Sequence, residues 1–132
     1  MYKKSINYTG FDGNEETLVA YFNINQMEAT RLNAKYDGDI TKFIEQVVES
    51  KDLTRMLDFI EDMILSAYGE RSEDGLRFVK NAEVRENFSQ TLAYEALFGE
   101  LLMNPDAVAE FADKAIVKSK KGQNENLINV TK

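Results

Sequence analysis

Cysteine and histidine are both absent from the 132 residues of this chain. The lack of cysteine excludes a disulfide scaffold, thiolate metal sites and cysteine nucleophiles. The lack of histidine removes the commonest general base and the commonest transition-metal ligand, so Ser-His-Asp triads and histidine-based zinc or iron sites are excluded within the chain. A magnesium enzyme that relies on carboxylates alone stays open, but we expect no enzyme, no metal and no cofactor.

Other features are scarce or missing. The chain has only one proline and seven glycines, so it is not a low-complexity linker. No run of 18 or more apolar residues occurs, which predicts that no segment spans a membrane. The chain contains neither of the two glycine-rich phosphate-binding patterns, Gly-x-x-x-x-Gly-Lys-Ser/Thr and Gly-x-Gly-x-x-Gly. With 43% hydrophobic and 30% charged residues, the chain reads as one globular domain.

The net charge of −7 is unevenly distributed. Residues 1–117 hold 12 Lys and Arg against 22 Asp and Glu, a net charge of −10, whereas residues 118–132 hold four lysines against Glu125, a net charge of +3. Because a domain this acidic repels phosphate backbones, we expect no nucleic-acid partner. The sequence predicts a single domain over residues 1–117 and a flexible basic tail over residues 118–132.

The first 23 residues have the pattern of a β-hairpin. Apolar and polar residues alternate from Tyr2 to Tyr8, with Lys4 as the one polar residue on the apolar side. The second strand, Leu18 to Phe22, is rich in β-forming residues, with Leu18, Ala20 and Phe22 on one side and Thr17, Val19 and Tyr21 on the other. Residues 10–14, Gly-Phe-Asp-Gly-Asn, predict the turn between the strands. A lone hairpin is marginal in water, so it must pack on helices or pair with another chain.

The remainder predicts about five or six helices, giving an α+β fold with an N-terminal β-hairpin followed by a helical bundle. The predicted N-caps are Asn25 (with Glu28 as its box partner), Asp39, Asp52, Ser89 and Asn104, which precedes Pro105. The first helix has a thin apolar face of Met27, Leu32 and Tyr36. The fifth helix is apolar around more than one stripe, which predicts a central position.

Residues 68–80 are the chain's most irregular internal stretch. We predict that Gly69 ends the third helix as its C′ residue and that a solvated connection follows. Leu76 and Phe78 would then return the chain to the core. The stretch carries the carboxylates Glu70, Glu73 and Asp74, and a second group comprises Asp58, Glu61 and Asp62. We interpret both groups as solvated surface rather than as metal or catalytic sites.

The third and fifth helices carry more apolar residues than one buried stripe requires. Methionine and aromatic side chains suit adaptable protein-binding surfaces. The alternative is that both helices are central and buried on several sides. The candidate partner-binding residues are Met56, Phe59, Met63, Leu65, Leu92, Tyr94, Phe98, Leu102 and Met103.

Four segments in order, residues 8–14, 21–23, 67–78 and 88–98, resemble the tail assembly chaperones of long-tailed bacteriophages that infect low-GC Gram-positive bacteria. The resemblance spans roughly residues 2–116. It implies a non-enzymatic protein of the host cell cytoplasm that coats the long, apolar tape measure protein and keeps it soluble. Tail tube subunits then displace the chaperone, so it is absent from the mature virion.

The resemblance also implies a longer form made by ribosomal frameshifting, and Ser119-Lys120-Lys121 is compatible with an A-rich slippery heptamer. Self-association through the hairpin edge or an apolar groove is a further expectation. The alternative function is an acidic phage protein that mimics DNA and inhibits a host nucleic-acid-binding protein. The scatter of carboxylates over several helices counts against that alternative.

Overall fold

The computed structural model describes residues 1–116. The predicted boundary after residue 117, the basic tail and the Ser119-Lys120-Lys121 stretch all lie outside the described residues. Four strands span Tyr2–Thr9 (β1), Glu15–Phe22 (β2), Tyr68–Arg71 (β3) and Phe78–Val79 (β4). Six helices span Gln26–Lys35 (α1), Ile40–Ser50 (α2), Leu53–Ala67 (α3), Ala82–Ser89 (α4), Leu92–Met103 (α5) and Pro105–Ala115 (α6).

The predicted N-terminal hairpin is confirmed, with Tyr2 opposite Phe22 and Thr9 opposite Glu15. Its apolar side faces the helices, and β1 packs on α5. Lys4 fits on this side because its amino group reaches the Glu100 carboxylate on α5 at 3.4 Å. The hairpin is therefore stabilised by the helices, as a two-stranded ribbon requires.

Residues 68–80 form a second hairpin, so the predicted helix-to-helix connection is wrong. The strands β2 and β3 are antiparallel, and the sheet order is β1-β2-β3-β4. The third helix ends at Ala67, and Tyr68 is already extended (φ −67°, ψ 139°). Gly69 is therefore a buried strand residue and not a helix C′ glycine. Leu76 lies at the turn and is 84% exposed, so it does not return to the core.

Side-chain caps begin the helices largely where the sequence predicts. Asn25 and Glu28 form a reciprocal capping box, and Asp39, Asp52 and Asn104 each accept a backbone N–H from the first turn. Ser89 does not cap α5, because its hydroxyl donates to the Glu86 carbonyl at 2.7 Å and Ser89 ends α4. The cap of α5 is Thr91.

The core lies between the sheet and the helices. Phe22 on β2 contacts Phe88 on α4 and Phe111 on α6, with ring centroids 6.1 and 4.9 Å apart. The predicted central position of α5 is confirmed, since α5 packs against β1, α3, α4 and α6. Met27 is 65% exposed, so the predicted apolar face of α1 is wrong at that residue, whereas Leu32 and Tyr36 are buried.

Candidate partner-binding surface

The nine candidate residues separate into groups by burial. Phe59 and Met63 are 0% exposed and Met56 is 7% exposed, so these three α3 side chains belong to the core of the described domain. Residue Leu65 is partly buried against the same core. Met103 is 83% exposed. The helices α3 and α5 pack directly against each other.

The helix α5 has an apolar surface on both its inner and its outer side. Its inner side comprises Ala93, Leu97 and Leu101, which recur every four residues and are at most 2% exposed. The outer side, here called the α5 outer face, comprises Leu92, Glu95, Phe98, Gly99, Leu102 and Met103. One charged residue interrupts it, which is unusual for a helix side that faces solvent.

The first hairpin brings a further aromatic residue to this face. Phe11 lines one groove of about 570 Å³ together with Leu92, Tyr94 and Phe98. It also lines a second groove of about 430 Å³ with Tyr8 and Leu92. Because they share Phe11, Leu92 and the α4–α5 junction, we treat the two as one surface, the hairpin-tip groove. The structure thus brings three of the nine candidates together around Phe11, which is not among the nine.

Phe11 belongs to no motif of its own in the sequence, because the residues around it are turn formers. It is the one large apolar side chain in residues 9–17, and it is 88% exposed. Phe11 lies at the tip of a glycine-bracketed turn, beyond the paired residues of both strands. That position, rather than any motif, is the signal that could have identified it.

The opposite end of α5 borders another apolar groove, separate from the hairpin-tip groove and of about 270 Å³. Met56 and Leu102 line it together with Val48 and Leu53, which are 42% and 60% exposed. Met103 lies at the same end of the helix. Two more of the nine candidates are therefore brought together here, and the α5 outer face runs between the two grooves.

A family model described as phage tail assembly chaperone matches residues 1–121. The chain belongs to that family. No curated protein and no solved structure matches the chain. The family assignment indicates that this tail assembly chaperone acts as an assembly factor, which is a non-enzymatic role. Among the helices of the described residues, none is long and apolar enough to cross a membrane.

Tyr94 connects the hairpin-tip groove of the chaperone to its core. The Tyr94 ring lies 5.7 Å from the Phe98 ring and 5.5 Å from the Phe88 ring, measured between centroids. Burial, followed by the negative charges of Glu61 and Asp62, raises the pKa of Tyr94 to about 12. Tyrosine is neutral at physiological pH even at its ordinary pKa, and Tyr94 presents a largely apolar ring to the groove.

An ion-pair cluster centred on Lys80 connects several elements of the domain. The Lys80 amino group donates to the carbonyl oxygens of Asn23 and Ser66, at 2.6 and 3.0 Å, and to the Glu28 carboxylate. Arg85 on α4 lies 3.7 Å from the same carboxylate. Burial lowers the pKa of Lys80, and Glu28 opposes that effect. The cluster joins α1, α3, α4 and the second hairpin.

The two carboxylate groups noted in the sequence have local partners. Asp62 accepts a hydrogen bond from the Tyr36 hydroxyl and pairs with Lys35 at 2.6 Å. Asp74 accepts from the Leu76 backbone N–H at 3.0 Å, which shapes the turn of the second hairpin. Over residues 1–116, no group of three or more acidic side chains is arranged to hold a metal ion.

Proposed function

We propose that this tail assembly chaperone binds helical segments of the phage tape measure protein and keeps them soluble until the tail tube polymerises. The observation that carries the proposal is the apolar outer face of α5, with Phe98 and Leu102 partly exposed and Met103 83% exposed. Phe98 and Leu102 are also partly buried against the core, so the apolar surface left for a partner is their exposed part together with Met103. Such a surface suits an amphipathic partner helix.

The dimensions of the surface are compatible with this partner. From Leu92 to Met103 the helix axis rises about 16 Å, which corresponds to about three turns of a partner helix. Apolar anchors spaced three or four residues apart on that partner could contact Leu92, Phe98 and Leu102 in turn. The net charge of −7 would keep the complex from aggregating while apolar surfaces are covered.

Co-expression tests the proposal. Fragments that tile the tape measure protein of the same phage are expressed with and without the full chain, and the soluble fraction and the co-purifying protein are quantified. We expect at least one fragment to become soluble only with the chaperone and to co-purify with it. If no fragment gains solubility and none co-purifies, the proposal is wrong.

The place and time of action belong to the same proposal. We infer a role in the host cytoplasm during assembly of a long, non-contractile tail in a Gram-positive host, with release when tail tube protein polymerises. Mass spectrometry should then detect the chaperone in infected cells but not in purified virions. Stoichiometric chaperone in purified virions would contradict this part.

Two further expectations concern the forms of the protein. The codons for residues 119–121 should contain a slippery heptamer if a frameshifted longer form is made, and the gene's nucleotide sequence decides this. Self-association through the β1 edge stays a prediction, because β1 pairs only with β2 within the described residues. Sedimentation velocity over a concentration series measures it.

A further inference from the structure

The turn that carries Phe11 is held by its own hydrogen bonds. The Gly10 N–H donates to the Asn14 carbonyl at 2.8 Å, and the Gly13 N–H donates to the Gly10 carbonyl at 2.9 Å. The Asp12 carboxylate accepts from the Asn14 backbone at 3.0 Å. Gly13 has φ +87°, a conformation that favours glycine. Phe11 is therefore presented to solvent by a preorganised turn, which lowers the entropic cost of using it in binding.

The hairpin-tip groove has an apolar floor and an acidic rim. Tyr8, Leu92 and Phe98 provide apolar surface, whereas Asp12, Glu16 and Glu95 provide three carboxylates. Neither of its two parts is lined by a lysine or an arginine among the described residues. Within the described residues, Glu16 and Glu95 have no ion-pair partner. An acidic rim without counter-charges favours a partner with positive charge at this position.

We propose that the hairpin-tip groove binds a partner helix whose apolar strip is flanked by lysine or arginine, with Phe11 as an anchor against that strip. The inference rests on the proposed function and specifies which tape measure segments are selected. Two observations determine the choice of partner: charge complementarity to Asp12, Glu16 and Glu95, and a rigid aromatic beside an apolar groove. Aromatic side chains that become buried on binding often dominate the binding energy of an interface.

Peptide binding tests the anchor. The probes are overlapping 25-residue peptides covering the tape measure protein of the same phage, titrated against the full chain by fluorescence anisotropy. We expect Phe11→Ser to weaken the tightest peptide at least about tenfold. Leu76→Ser is the matched control, because Leu76 is 84% exposed at the turn of the other hairpin and does not line the groove. It should change the affinity less than about twofold.

Charge reversal on the probe tests the rim. The tightest peptide is resynthesised with its flanking lysines and arginines replaced by glutamate, and the chain is prepared as the Glu16→Gln, Glu95→Gln double variant. We expect the glutamate peptide to bind at least about tenfold more weakly. The double variant should bind the original peptide about threefold more weakly, with a smaller salt dependence.

The outcomes separate this inference from the proposed function. If no tape measure peptide binds, the proposed function fails and takes this inference with it. If peptides bind but Phe11→Ser behaves like Leu76→Ser, or the glutamate peptide binds as well as the original, the inference alone is overturned. If Phe11→Ser instead dissociates an oligomer in sedimentation velocity, the groove is occupied by a second copy, which also overturns it. Equal thermal unfolding of both serine variants and wild type shows that each is folded.

Discussion

Gly69 on β3 lies directly against the Phe78 side chain on β4. A β-carbon built at position 69 would lie 2.6 Å from the Phe78 ring and 2.7 Å from Cγ of Lys80. Both distances are shorter than real β-carbon contacts. The glycine therefore leaves room for the Phe78 ring and the Lys80 stem over position 69, and it does not serve the helix termination that the sequence suggests.

Gly69→Ala should destabilise the domain by about 1–3 kcal/mol, because the added methyl group must displace the Phe78 ring or the Lys80 stem. Urea unfolding followed by circular dichroism measures the change. Gly99→Ala is the matched control, since a β-carbon at position 99 on α5 meets nothing within 4 Å. We expect the control to be neutral or more stable by up to about 1 kcal/mol. Equal effects of the two substitutions would contradict the argument.

Glu28→Gln should destabilise the domain by about 2 kcal/mol. Glutamine can still accept the Asn25 N–H of the capping box, so the substitution mainly removes the charge opposite Lys80, whose side chain is 10% exposed. The control is Glu110→Gln, which removes a solvent-exposed pair with Lys114 and should leave the unfolding free energy close to that of wild type. Chemical denaturation at pH 7 compares them, and a loss for Glu28→Gln no larger than the control's would reject the role assigned to Lys80.

Tyr94→Phe should reduce the loss of stability at alkaline pH. Burial and the charges of Glu61 and Asp62 raise the pKa of Tyr94 from 10.0 to about 12 in the folded state. Because the folded protein holds this proton more tightly, the stability from Tyr94 is complete below pH 10 and is lost as the pH rises from 10 to 12. Phenylalanine cannot ionise. Urea unfolding is measured at pH 8 and at several values between pH 10 and 12. The stability of the variant relative to wild type should increase over that range, and a stability difference that does not change with pH would contradict the argument.

Met103→Ser should weaken binding of tape measure fragments by about threefold to tenfold without changing the unfolding free energy by more than about 0.5 kcal/mol. Met103 is 83% exposed at the end of the α5 outer face, so its substitution removes surface available to a partner rather than core packing. Met27→Ser on α1 serves as the control, because Met27 is 65% exposed and lies outside both grooves. Equal loss of binding in the two variants would argue against the α5 outer face.

Helix starts could be predicted from the sequence because a cap is a short-range interaction. Asn25, Asp39, Asp52 and Asn104 each bond to a backbone N–H two or three residues ahead, so the relevant atoms are specified within one turn. Ser89 fails as a predicted cap because Thr91 is an equally good candidate two residues later. The α4 helix extends through Ser89, and local pattern alone does not rank the two hydroxyls.

The second hairpin could not be predicted in the same way. The strand β3 has four residues and β4 has two. Strands this short carry no alternation of apolar and polar residues that would predict them. Tyr68 is extended because it pairs with Phe22 on β2, which is distant from it in the sequence. The Tyr68 ring then stacks on Phe88, with centroids 3.8 Å apart. These contacts depend on chain segments that only folding brings together.

Some of the candidate residues share one surface of the structure, and their role in binding stays a prediction. The sequence identified α5 as apolar on too many sides, and Leu92, Phe98, Leu102 and Met103 do lie on its outer face. It could not separate these residues from Phe59 and Met63, which are equally apolar but face the core. Apolar character determines that a side chain avoids water and does not determine which neighbour covers it.

The sequence by itself determined that the chain has no histidine or cysteine chemistry, that its first strands form a hairpin, and that most helices begin at capped positions. Composition and interactions within a few residues decide all three. Only the tertiary structure decided that residues 68–79 join the sheet, that Phe59 is core, and that Phe11 stands beside Leu92 at one end of α5. Burial and groove formation depend on segments distant along the chain, and the packing of the sheet against the helices determines which of them meet.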